Sequence, residues 1–135
     1  MSLVIDSSVT LAWIYLDEQA EDALRAAEMV HQSGAWVPAI WPLEVANGLV
    51  QGIKRRRIDK AKRDADIADL SRMNINVDAD TNAFAWTKTL EFAERFGLTT
   101  YDACYVELAH RRALPLATLD DDMRTAGRKL GIHLF

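Results

Sequence analysis

The sequence predicts an α/β fold, with about five parallel strands and helices covering both faces of the sheet. Three observations carry this expectation. Short apolar runs alternate with helix-periodic segments along the whole chain, the pattern of a parallel sheet built from crossover units. The strand candidates are continuous rather than alternating apolar runs, as in sheets buried on both faces. Half of the 135 residues are hydrophobic, enough for one core in a single domain spanning 1–135.

The first run, LVID, ends in Asp6 and reads as a buried strand. SSVTLAWIYL follows as a helix, with Ser7 or Ser8 available to cap it. EQAEDALRAAEMVHQSG is a stronger helix, with Ala23, Ala27 and Val30 on one face and Gly34 as its stop. AWVPAI is a brief strand interrupted by Pro38. In WPLEVANGLVQGIKRRRI, Pro42 falls in the first turn, where proline is tolerated, and Leu43, Ala46, Leu49, Val50 and Ile53 keep helical spacing. DKAKRDADIADLSRM reads as a helix and INVD as a strand. TNAFAWTKTLEFAERFG is a helix carrying Phe84, Thr87, Phe92 and Phe96, ended by Gly97. TTYDACYVELAHRRA is a helix whose Tyr101, Cys104, Tyr105 and Leu108 line one face. The strand PLATL, the helix DDMRTAGRKLG and a final strand IHLF complete the chain, without repeats or linkers.

Composition narrows the function classes. A single cysteine, Cys104, excludes an internal disulfide and a multi-cysteine zinc site. Its place on an apolar helix face, with no histidine positioned to activate it, reads as packing rather than nucleophilic catalysis. His31, His110 and His133 show no metal-ligand spacing. No apolar run approaches the roughly 20 residues of a membrane-spanning helix, and no signal-peptide pattern opens the sequence, which favours the cytoplasm. The net charge of −4 is a poor match for a simple electrostatic nucleic-acid binder. The bases nevertheless cluster, in KRRR (Lys54 to Arg57) and HRR (His110 to Arg112), where they can hold a nucleic-acid backbone or simply solvate a helix end. Trp13, Trp36, Trp41 and Trp86 read mainly as core, with Trp13 and Trp41 near the sheet edge where stacking on bases is an option.

Four acids stand out, although each alone has a modest explanation. Asp6 suits a turn or cap. Glu44 suits the positive end of a helix. Asp102 follows Thr99 at the spacing of a capping box, with Asp in place of Glu. Asp120 suits the N-cap of the last helix. Strand C-termini and the following helix N-termini share one edge of an open parallel sheet, so Asp6 and Asp120 at strand ends and Glu44 and Asp102 in first helical turns can converge there, although no clear strand directly precedes Asp102. Two carboxylates about 4 Å apart repel by roughly 4 kcal/mol at an effective dielectric of 20. Several acids on one edge therefore call for a cation, and oxygen-only ligands favour Mg²⁺ or Mn²⁺ over zinc. Such a site can bind a phosphodiester and activate water for in-line attack.

At these residues the chain resembles the PIN-domain ribonucleases, and among them the VapC-like toxins of toxin–antitoxin pairs. The matching pieces are VIDSSV (Val4 to Val9), WPLEVANGL (Trp41 to Leu49), TTYDACYVELA (Thr99 to Ala109) and PLATLDDDM (Pro115 to Met123). Their order and spacing fit over essentially the whole chain. The resemblance implies a PIN-like five-stranded parallel sheet and a metal-dependent endoribonuclease that leaves 5′-phosphate and 3′-hydroxyl ends. It implies Asp6, Glu44, Asp102 and Asp120 as the acidic quartet around Mg²⁺ or Mn²⁺, with Asp122 as an auxiliary acid. Ser7, Asn47 and Thr118 stand where the family often has polar residues lining the site. It also implies an RNA substrate, a homodimer and a VapB-like antitoxin.

Other functions fit less well. A phosphatase of the haloacid dehalogenase type wants a second Asp two residues after the first, where this chain has Ser8. A phosphoacceptor receiver wants paired acids after the first strand, and Asp78 is its only candidate acceptor. A binding module of the same fold, recruiting RNA or a partner without cleaving it, is the alternative from a different class.

Overall fold

The computed structural model describes residues 1–15 and 21–135. Among them a parallel sheet runs in the order β3-β2-β1-β4, formed by β1 (Leu3–Ile5), β2 (Ala35–Val37), β3 (Ile75–Val77) and β4 (Leu116–Ala117). The helices are α1 (Ser7–Ile14), α2 (Glu21–Ser33), α3 (Trp41–Lys54), α4 (Lys60–Arg72), α5 (Leu90–Phe96), α6 (Thr100–Arg112) and α7 (Asp121–Lys129). The chain steps outward from β1 through β2 to β3, then returns to the other side of β1 for β4. Strand order therefore reverses at β1, where open α/β sheets bind ligands.

The core explains this order. Leu3, Val4 and Ile5 are fully buried, as a central strand covered on both faces must be. Buried side chains of α1, α2 and α6 join them, including Val9, Val30, Tyr105 and Leu108. Gly34 ends α2 in the left-handed region (φ 76°), and a Cβ there would stand 2.6 Å from the Asn74 side chain.

The structure corrects several expectations. The final IHLF segment is no full strand: only Leu134 bridges to Leu116, through one backbone hydrogen bond on each side. The stretch expected as one helix over 81–97 is a 3₁₀ turn (Thr81–Phe84), a π turn (Ala85–Thr89) and then α5. Its early part holds Thr, Asn and aromatic residues of modest helix propensity, and Thr81 is tied instead to Asp78 and to the Ala39 N–H. Helix α3 stops at Lys54 rather than running on to Ile58, with Arg56 at φ 56°.

The buried face of α3 also differs. Trp41, Val45, Leu49 and Gly52 face inward, whereas Leu43 is 71% and Val50 48% exposed. Two contacts select that face: Trp41 Nε1 donates to Thr10 Oγ1 at 3.0 Å, and Gly52 admits Tyr15, whose hydroxyl a Cβ at that position would overlap. Similarly, α2 buries Ala26 in place of Ala27, and Tyr101 is exposed at the start of α6. Leu16, the expected end of the first helix, and Glu18 to Ala20, the expected start of the second, lie outside the described residues.

Candidate active site

Asp6 follows β1 directly and is buried. Its backbone is extended and its side chain caps α1, as a capping role for this residue requires. Oδ1 accepts from the Val9 N–H at 3.0 Å and from the Ser8 hydroxyl at 2.7 Å. Oδ2 accepts from the Thr118 hydroxyl at 2.5 Å. The sheet register produces this last contact. Ile5 pairs with Ala117, so the residues that follow each, Asp6 and Thr118, leave the sheet side by side.

Burial is the largest influence on the Asp6 carboxyl. It pushes the pKa up to about 6 despite three hydrogen bonds that favour the charged form, with the Asp102 charge adding to the rise. Glu44, in the first turn of α3, is also raised, by burial first and then by Asp102, against hydrogen bonds from Tyr105 and Ser7. Asp102, in the first turn of α6, is raised by burial and by the charges of Asp120 and Asp122. Its N–H meets the Thr99 hydroxyl at 3.1 Å, the half of the capping box the sequence marks. Asp120 caps α7 through the Met123 N–H at 2.8 Å, and its own N–H donates to Thr118 Oγ1 at 3.0 Å.

Asp102 is therefore the electrostatic centre of the acids that the sequence singles out: Asp6, Glu44, Asp120 and Asp122 all interact with it. Among the described residues no three acidic, histidine or cysteine side chains are already closed into a cluster for one ion. The donor set still fits a hard divalent cation, because it is all oxygen and because burial and mutual repulsion hold the Asp6, Glu44 and Asp102 carboxyls above their ordinary range. Mg²⁺ is also bound through one or two carboxylates while keeping several waters, so a closed protein cage is not required.

The residues expected to line the site divide. Thr118 and Ser7 act on Asp6 and Glu44 as described. Asn47 is exposed and lines a groove of about 430 Å³ with Leu11, Leu43, Glu44 and Tyr101. Sequence reasoning missed two contributors. Ser8 joins Asp6 to the β4 side of the sheet, accepting from the Leu119 N–H at 3.1 Å. Tyr105, read only as part of an apolar face, donates to Glu44 Oε1 at 2.5 Å. No local pattern marks a partner so distant in the chain.

Other candidates resolve plainly. Burial, followed by the charges of Glu44, Glu107 and Asp102, pushes the Cys104 thiol up to about 12, so it stays protonated at neutral pH. Asp78 is buried beneath Arg111 Nη2 at 2.6 Å and accepts from Thr81, which is not the exposed carboxylate of a phosphoacceptor. Arg111 also pairs with buried Glu107, and the Arg112 guanidinium stacks 3.6 Å from the Trp36 ring centre. The HRR run is thus largely structural, whereas Lys54 to Arg57 are exposed. Trp41 is buried, while Trp86 is 90% exposed, against the expectation of core.

The PIN domain profile matches residues 3–129. Two solved structures share the fold. PAE2754 from Pyrobaculum aerophilum superposes with a TM-score of 0.67 at 22% identity, over 93% of this chain and 87% of that one. FitAcB from Neisseria gonorrhoeae does so with a TM-score of 0.65 at 18% identity, over 100% of this chain and 96% of that one. No curated protein matches the sequence.

Proposed function

The chain belongs to the PIN domain family, and on that premise we propose that it is a Mg²⁺- or Mn²⁺-dependent endoribonuclease, the VapC-like toxin of a toxin–antitoxin pair. The observation that carries this reading is the convergence of raised, mutually repelling carboxyls at the strand-order reversal, beside Asp102. Asp6, Glu44, Asp102 and Asp120 would hold the metal or its waters, with Asp122 as an auxiliary acid and Ser7, Asn47 and Thr118 as supporting polar groups. A bound divalent cation supplies Lewis-acid stabilisation of phosphodiester charge and a more acidic water.

The chain's own groups do the rest. Thr118 and Ser8 hold Asp6 in one orientation, and one carboxylate of the set takes the proton of the attacking water. Water forms the new bond to phosphorus as the bond to O3′ breaks; O3′ leaves with the bonding pair and takes a proton from solvent, giving 5′-phosphate and 3′-hydroxyl ends. Lys54 lies about 15 Å along α3 from Glu44 at a rise of 1.5 Å per residue, within reach of flanking RNA phosphates. The partners in this reading are RNA, a VapB-like antitoxin and a second copy of the chain, and the compartment is the cytoplasm. Among the described residues no helix is long and apolar enough to cross a membrane.

Asp6→Asn tests the reading. Asn caps helices as well as Asp does, so the fold should survive. RNA cleavage should fall by about 100-fold or more, in line with the loss of a group that acts as a unit with its neighbours. A non-cleaving binding module predicts instead that the variant keeps the full biological effect.

A further inference from the structure

Tyr105 packs in the core, yet its polar end leaves the core to join α6 to the acid on α3. Its residue is 1% exposed, and its hydroxyl donates to Glu44 Oε1 at 2.5 Å. It follows Asp102 by one helical turn, the spacing that places two side chains on neighbouring patches of one helix surface. Glu44 itself is only half-buried on a surface helix, where a free glutamate would sample several rotamers. The tyrosine ring is locked by the core, so its hydroxyl is a fixed point.

We propose that Tyr105 is a positioning residue: its buried hydroxyl fixes Glu44 relative to Asp102 and so sets the geometry in which the acids receive a divalent cation. Groups that orient metal ligands in this way are generally worth about 10–100-fold in metal affinity or activity. Tyr105→Phe removes the hydroxyl and keeps the ring.

The inference rests on the metal-site reading, and Mn²⁺ binding to the RNA-free full chain, followed by calorimetry, tests it apart from cleavage. Tyr105→Phe should keep its cooperative thermal transition and bind Mn²⁺ about 10-fold more weakly or worse. In cleavage assays the loss should fall on kcat, with KM for RNA little changed. If the tyrosine acts through Glu44, Tyr105→Phe should change Mn²⁺ affinity no further in a Glu44→Ala background, the signature of coupled residues. Unchanged Mn²⁺ affinity in Tyr105→Phe overturns the assignment, as does an equal loss with and without Glu44. A parent protein that binds Mn²⁺ without cutting RNA counts against the nuclease alone. A parent that binds no Mn²⁺ overturns both.

Discussion

Asp6 serves two ends with one carboxylate: it caps α1 and it faces the other acids, and Thr118 connects the two roles. The Thr118 hydroxyl donates to Asp6 and accepts from the Asp120 N–H, so it ties two of the candidate acids to one another. Thr118→Val keeps the shape and deletes that link. We expect a loss of about 1.5–3 kcal/mol in denaturant unfolding, the range for a hydrogen bond to a charged group, together with reduced cleavage. The acids are legible in the sequence because caps leave local marks: Asp102 follows Thr99 at fixed spacing, and Asp120 stands just before a helix. Ser8 and Tyr105 are not, because their importance comes from register and from contacts across the fold.

Helix α3 shows where periodicity alone misleads. Counting aliphatic residues favours a face containing Leu43 and Val50, but a tryptophan hydrogen bond and a glycine that admits Tyr15 turn the helix instead. The same rotation leaves Glu44 half-exposed beside Asn47 in the groove. A paired substitution checks it. Leu49→Ala should cost about 2–5 kcal/mol in denaturant unfolding, as core truncations do, whereas Val50→Ala should stay within about 0.5 kcal/mol, as for a surface site. Equal losses would mean that the helix faces the core differently. The mixed 3₁₀, π and α segment preceding α6 is illegible for a related reason: its start is set by the Thr81 and Asp78 contacts, not by its own propensity.

Across the whole molecule, α6 links the acids to a second charged group. Asp102 lies in its first turn, and Arg111 near its end binds Asp78 at the tip of β3. Burial alone would raise the Asp78 carboxyl, but hydrogen bonds from Arg111 and Thr81 prevail and hold it below its ordinary 3.8. A lowered folded-state pKa stabilises the protein above the unfolded value, and the contribution is lost as pH falls through the folded one. Asp78→Asn should therefore lower the thermal midpoint near pH 7, and the gap to the parent should close progressively below about pH 3.8. A gap that persisted unchanged at lower pH would mean that the ion pair contributes nothing. The alternation of strands and helices makes the sheet and its acid-bearing edge readable, whereas the Asp78–Arg111 pair joins residues too far apart in the chain to leave a pattern. The proposed metal-dependent cleavage at that edge is checked most directly by digesting total cellular RNA with the purified protein, in Mg²⁺, in Mn²⁺ and in EDTA, and mapping the fragment ends. Discrete fragments with 5′-phosphates that disappear in EDTA are expected; cleavage undiminished by EDTA, or ends carrying 2′,3′-cyclic phosphate, would refute the mechanism.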